Sequence, residues 1–208
     1  MISQLHNVLA VITDSSIKSP HSTIDQITMA IEGGVNMVHL RERNLPTSEL
    51  YDFAKKIRKV TQGKALFFIN ERVDLALACQ ADGVQIGSKG FPLDVVRILV
   101  GSEILIGKSV HSVKEGLMAE SEGADLILFG TIFPSRSHPD FDGVGIDEIQ
   151  RICHLINIPV IAIGGIDQYN ITDVIYSGVS GVAVISAIMG SDDPYKVSLK
   201  LSELINIE

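Results

Sequence analysis

The sequence predicts an α/β fold of the (β/α)8 class, a TIM barrel, formed as one domain over residues 1–208. Three observations predict it: eight short apolar runs, amphipathic stretches between them, and a small-residue turn that recurs before every second run. The runs are VLAVIT (8–13), VNMVHLR (35–41), ALFFIN (65–70), GVQIG (83–87), ILIGKS (104–109), LILFG (126–130), PVIAIGG (159–165) and GVAVIS (181–186). They are short, rich in β-branched residues and apolar on both faces, as expected of parallel strands covered on both sides. The stretches between them carry helical spacing, as in Leu50, Phe53, Ala54 and Ile57 within 47–62, or Ile146, Ile149 and Ile152 within 145–156. The recurring turn opens GVNMV at Gly34, QADGVQI at Gln80, GADLILF at Gly123 and GVSGVAV at Gly178, ahead of strands two, four, six and eight. A unit of two strands and two helices repeated four times suits a closed ring better than an open doubly wound sheet. No linker or shift in composition divides the chain.

Composition narrows the function classes. The chain is 46% hydrophobic and 20% charged, ordinary for a globular protein long enough to bury a sizeable core. A formal net charge of −8 argues against nucleic acid or an acidic membrane surface as partner. No apolar run approaches the roughly 18 residues that span a bilayer, and MISQLHNVLAVITD has neither the basic start nor the core of a secretory signal. The expected location is the cytoplasm. Cys79 and Cys153 lie far apart in helical stretches without metal or redox spacing and read as reduced thiols.

In such a barrel the chemistry sits at the C-terminal ends of the strands. Here the strand bodies are apolar, while almost every strand end carries a polar residue. Gly164-Gly165 after strand seven and Ser186-Ala187 after strand eight form the strongest local signal. Glycines let backbone N–H groups approach an anion, and this is the usual phosphate position of the fold. After strand two, a period of two places His39, Arg41 and Arg43 on one side. An inward Arg41 keeps its charge and needs an anion: Glu42, Glu71 or a ligand phosphate. His39, His111 and His138 all fall at or just past strand ends, so at least one is expected to move protons; His6, His21 and His154 lie elsewhere. Ser, Pro, Asp and Gly in the long loop 131–144 suit a segment that moves.

The segments HLRER (39–43), INERVDLALACQADGVQIG (69–87), GKSVHS (107–112), ADLILFGTIFPS (124–135), IPVIAIGGI (158–166) and GVAVISAIMGSDDP (181–194) resemble the thiamine-phosphate synthase superfamily along nearly the whole chain. That superfamily contains the synthase and a related thiazole tautomerase, the TenI branch. The resemblance implies a small phosphorylated substrate. The synthase joins an aminopyrimidine diphosphate to a thiazole phosphate and releases pyrophosphate, with magnesium bound near the departing group. Its Gln-x-Arg-x-Lys after strand two is His39, Arg41 and Arg43 here; its Asn-Asp after strand three is Asn70-Glu71, with Glu71 as the metal candidate. Its second metal aspartate falls on Gly90, preceded by Lys89, with Asp94 further along. Ser109 keeps the serine after strand five. The Thr-x-Thr-Lys after strand six becomes Ser135, Arg136, Ser137 and His138, and Gly165, Ile185 and Ser186 match the thiazole-phosphate positions.

The resemblance therefore implies an intact thiazole-phosphate half and an altered diphosphate half. The leading expectation is a tautomerase, a proton-transfer isomerase that needs no cofactor. That branch places its acid–base histidine where this chain has Thr131, so His138 or His111 must act instead, with Ser109 beside them. The alternative is a synthase using Mg2+ at Glu71, and the second alternative a non-catalytic ligand binder. The residues expected around the ligand are His39, Arg41, Arg43, Asn70, Ser109, Thr131, Ser135, Ser137, His138, Gly165, Ile185 and Ser186. Barrels of this size often pair, so a homodimer is compatible with the sequence.

Overall fold

A computed structural model describes residues 5–135 and 142–206. Eight strands run β1 Val8–Ile12, β2 Met37–Leu40, β3 Leu66–Asn70, β4 Gly83–Ile86, β5 Leu105–Val110, β6 Leu126–Gly130, β7 Val160–Ile163 and β8 Gly181–Val184. The helices among the described residues are α1 Thr23–Glu32, α2 Thr47–Thr61, α3 Val73–Ala78, α4 Leu93–Val100, α5 Val113–Ser121, α6 Gly145–Leu155, α7 Ile171–Tyr176, α8 Ser186–Met189 and α9 Pro194–Ile205. Every strand pairs in parallel with its sequence neighbours, and β1 closes on β8, giving the predicted (β/α)8 barrel. The predicted helical faces are the buried ones: Leu50, Ala54 and Ile57 in α2, Ile149 and Ile152 in α6.

Strand alternation divides the apolar residues into two layers. One set, including Leu9, Val11, Val38, Phe67, Val84, Ile106, Phe129 and Val182, packs outward under the helices. The other, including Val8, Ala10, Ile12, Met37, Phe68, Leu126, Leu128, Ile161 and Ala183, fills the bore. Small residues make room for large ones across that bore: a Cβ on Gly83 would lie 2.2 Å from the Phe68 ring. The interior is a packed core rather than a channel.

The turn repeated before even-numbered strands has a physical role at the N-terminal rim. Asn36 Oδ1 accepts from the backbone N–H of Leu9 (2.9 Å), Asp82 Oδ2 from that of Phe67 (2.7 Å), and Asp125 Oδ2 from that of Ile106 (2.7 Å). At β2, β4 and β6 the polar residue entering the strand thus satisfies an N–H of the odd strand before it. Arg58 and Arg97 neutralise the two aspartates at 2.9 and 2.5 Å. At the same rim the ring closes on itself: α9 packs along α1, with Gly33 so near Tyr195 that a Cβ there would stand 2.5 Å from its carbonyl oxygen. Asn7 Nδ2 donates to Asn206 Oδ1 at 3.0 Å.

Candidate functional site at the C-terminal rim

A cavity of about 980 Å3 opens at the C-terminal ends of the strands. Its lining brings together Arg41, Arg43, Asn70, Glu71, Ser109, His111, Thr131, Ser135, Gly165, Ile185 and Ser186 from six different strand ends. Ser137 and His138, expected in this set, lie outside the described residues, as does Arg136.

The floor is asymmetric. Ile12, Leu128, Ile163 and Ala183 cover it on the β6-to-β1 side, and Asn70 and Ser109 on the β3-to-β5 side. On the apolar side backbone groups of a glycine turn join the side chains of Thr131, Ser135 and Ser186. Gly164 and Gly165 hold φ of +108° and +65°, which side chains rarely adopt. A Cβ on Gly165 would also lie 2.5 Å from the Pro134 carbonyl oxygen. The loop after β7 is thus pressed against the loop after β6, and Phe133 N–H donates to Gly164 O at 3.0 Å. Ser186 opens α8 across from this turn. Exposed N–H groups at such a place can hold an anion.

On the polar side the groups are side chains. Arg41 is half-buried, and burial, with the neighbouring Arg43 charge next in size, lowers its pKa below the usual guanidinium value. Its two carboxylate candidates are engaged elsewhere. Glu42 accepts from the Ser15 hydroxyl (2.5 Å) and the Ser15 N–H (3.2 Å), and Glu71 accepts from the Gly87 N–H at 2.7 Å. Neither Arg41 nor Arg43 forms an ion pair among the described residues. Among the described residues, two guanidinium groups thus face the cavity without a salt bridge, with Asp14 and Glu42 acting on Arg41 only from a distance.

Glu71 adopts φ of +62°, an uncommon conformation for a side chain. Its own N–H donates to Gln85 O (2.9 Å) while its carboxylate takes the Gly87 N–H. The second carboxylate oxygen fills the place beside Gly90: a Cβ there would stand 2.8 Å from Glu71 Oε2 and 2.6 Å from Ile86 Cγ2. The longer carboxylate at 71 and the missing side chain at 90 are thus a matched pair. Lys108 Nζ donates to Gly87 O at 2.8 Å, behind this turn.

His39, expected to touch ligand, lies instead beneath the floor. It has no exposed surface, stacks on Phe68 at 4.9 Å between centroids, and places Nε2 3.1 Å from Met37 Sδ. Burial lowers its pKa to about 4, only partly offset by the Asn70 side chain. Strand periodicity put it on the correct side of β2 but one layer too high. His111 does line the cavity, with Nδ1 bonded to Gly130 O and its backbone N–H donating to Glu115 (2.7 Å). Thr131 is buried in the wall. Gln85, which the sequence reading passed over, lies directly under Ser109; its place as an inward polar residue among apolar ones in GVQIG was the available signal.

Residues 9–188 match the family model described as thiamine monophosphate synthase. The thiamine-phosphate synthase of Pyrococcus horikoshii is 40% identical over 198 residues, covering 95% of this chain and 94% of the relative. That of Clostridium botulinum is 41% identical over 192 residues, covering 91% and 94%. The structure of thiamine phosphate pyrophosphorylase from Pyrococcus furiosus superposes with a TM-score of 0.88 at 39% identity, covering 95% of each chain.

Proposed function

The chain belongs to the thiamine monophosphate synthase family, and we propose that it is itself a thiamine-phosphate synthase, joining an aminopyrimidine diphosphate to a thiazole phosphate with release of pyrophosphate. One observation carries this reading: a single cavity offers two separate places for anions, a glycine-lined backbone turn after β7 and two unpaired arginines after β2. A synthase must hold two phosphorylated substrates at once. A tautomerase needs one phosphate anchor and a proton-transfer group, and would leave Arg41 and Arg43 without work. The sequence reading put the tautomerase first because Gly90 removes a carboxylate. The fit of Glu71 into that space and the names of the relatives both support the synthase instead.

In the proposed arrangement the thiazole phosphate lies against Gly164, Gly165 and Ser186, and the apolar floor of Ile12, Leu128 and Ile163 carries its ring. The diphosphate lies toward Arg41 and Arg43, whose charges receive the negative charge that grows as pyrophosphate departs. No cluster of three or more His, Cys, Asp or Glu residues suited to a metal exists among the described residues. Magnesium commonly binds through one or two carboxylates plus substrate phosphates, so Glu71 Oε2, the oxygen not used by Gly87, fits as its protein ligand. The ion would supply further neutralisation of the leaving group.

The test is product formation from the two substrates with and without magnesium, beside an assay of thiazole isomer conversion. Thiamine phosphate formed in the presence of magnesium is expected. Isomer conversion without any thiamine phosphate would replace the synthase by the tautomerase.

A further inference from the structure

We infer that Gln85, which does not touch the cavity, fixes the Ser109 hydroxyl as a hydrogen-bond donor and so acts as a positioning residue for the substrate bound above it. Gln85 has no exposed surface, and its Nε2 donates to Ser109 Oγ at 3.0 Å. Ser109 lines the cavity. A serine hydroxyl carries one proton and two lone pairs. With an N–H arriving from below, the Ser109 proton must turn elsewhere, and no acceptor for it exists among the described residues. The open direction is the cavity. Ser109 then presents a donor, and the substrate must supply an acceptor there.

The orientation of Gln85 is itself constrained. Its Oε1 is buried without a partner and lies where Gly107 carries only a hydrogen; a Cβ at that position would stand 2.1 Å from Oε1. Gly107 is the residue paired with Gln85 across β4 and β5. Turning the amide over would press the NH2 group, with its two N–H donors, into the slot beside Gly107 that a bare oxygen now occupies. Gly107 thus makes the slot, Gln85 fills it in one sense, and Ser109 inherits a direction.

This inference rests on the proposed function and adds to it that Ser109, which lines the same cavity as Arg41, contacts the aminopyrimidine diphosphate. The experiment is a double-mutant cycle on calorimetric binding of that compound, with melting temperatures in parallel. Ser109→Ala is expected to weaken binding about tenfold, as for loss of a hydrogen bond to a charged group. Gln85→Leu should weaken it by a similar factor in the parent but add nothing in the Ser109→Ala background. Gln85→Glu serves where the leucine variant does not fold. Its ionised carboxylate takes the serine proton, so binding should be poor at pH 8 and recover at pH 5, where a buried carboxyl keeps its own proton and donates. An equal loss from Gln85→Leu in both backgrounds, or no loss in the parent while Ser109→Ala is weak, overturns the positioning role alone. Full-strength binding by Ser109→Ala overturns the Ser109 contact and this inference with it, and leaves the proposed function to its own test.

Discussion

From β6 round to β1 the cavity floor is apolar and a glycine turn brings backbone groups to it, beside Thr131, Ser135 and Ser186; from β2 to β5 Asn70 and Ser109 make the floor polar and Arg41 and Arg43 stand at the rim. The first half depends on chain conformation. Gly164 and Gly165 at positive φ, each too close to the β6 loop for a side chain, set where N–H groups can point. The second half depends on residue identity: Arg41, Asn70 and Ser109 reach the cavity through side chains from backbone without positive φ, and of the four lining residues there only Glu71 stands at one. A barrel built this way can keep one anion-binding turn while revising what sits opposite. Four departures from the synthase pattern, His39, Arg43, Glu71 and Gly90, fall in the side-chain half, while the change at Ser135 follows β6 and belongs to the other.

The contrast can be broken most severely at Gly165. Gly165→Asp combines a disfavoured φ, a collision with Pro134 and a carboxylate at the anion position. Thiazole phosphate affinity should fall at least ~100-fold, measured calorimetrically, because a charged-group contact is replaced by repulsion. Affinity within a factor of three of the parent would mean that phosphate does not bind at this turn. Arg41→Ala tests the other half. Loss of one charge-assisted contact should weaken the aminopyrimidine diphosphate roughly 30-fold and leave thiazole phosphate unchanged. Equal effects on both compounds would erase the proposed division of the cavity.

A smaller effect is expected at the Glu71–Gly90 pair. Glu71→Gln should raise the magnesium concentration for half-maximal product formation by about tenfold, since a neutral amide is a poorer ligand for a hard cation. Gly90→Asp alone should be harmful, because its Cβ meets Glu71 and Ile86, whereas Glu71→Asp with Gly90→Asp relieves the crowding. A benign Gly90→Asp in the otherwise unaltered chain would show that the two positions are independent.

The mildest effect concerns His39 and stability. Its folded pKa of about 4 lies below the ordinary 6.5, so between those values unfolded chains take up a proton that the barrel refuses. Its contribution is complete above pH 6.5 and is lost as pH falls toward 4, at roughly 1.4 kcal/mol per pH unit. Melting temperature should therefore drop between pH 7 and 5, and drop less in His39→Gln. Parallel curves for the two proteins would remove His39 as the source.

How much of this the sequence could tell follows from the same contrast. All eight strands were legible within two residues, because burial on both faces writes an apolar run and glycine marks each turn. Gly164-Gly165 and Arg41 could be placed at the rim because strand ends fix the rim. Depth along the bore could not be read: His39 and Gln85 have the same inward parity as Arg41 and Ser109, and only the stagger between strands decides which of them the cavity reaches. Nor could Gly90 be understood alone. Its meaning depends on Glu71, which enters the same space from a different strand in a conformation that local sequence does not favour.

The hydrogen bond between Asn7 and Asn206 means that the ring has a seam rather than a start. A few residues of flexible peptide would suture that seam, and the chain could be reopened at Gly63, where an added Cβ would meet nothing within 4 Å. Such a rearranged gene product would read its strands from three through eight and then one and two, yet carry the same mouth. The order in which this polypeptide is written is thus separable from the circle into which it folds.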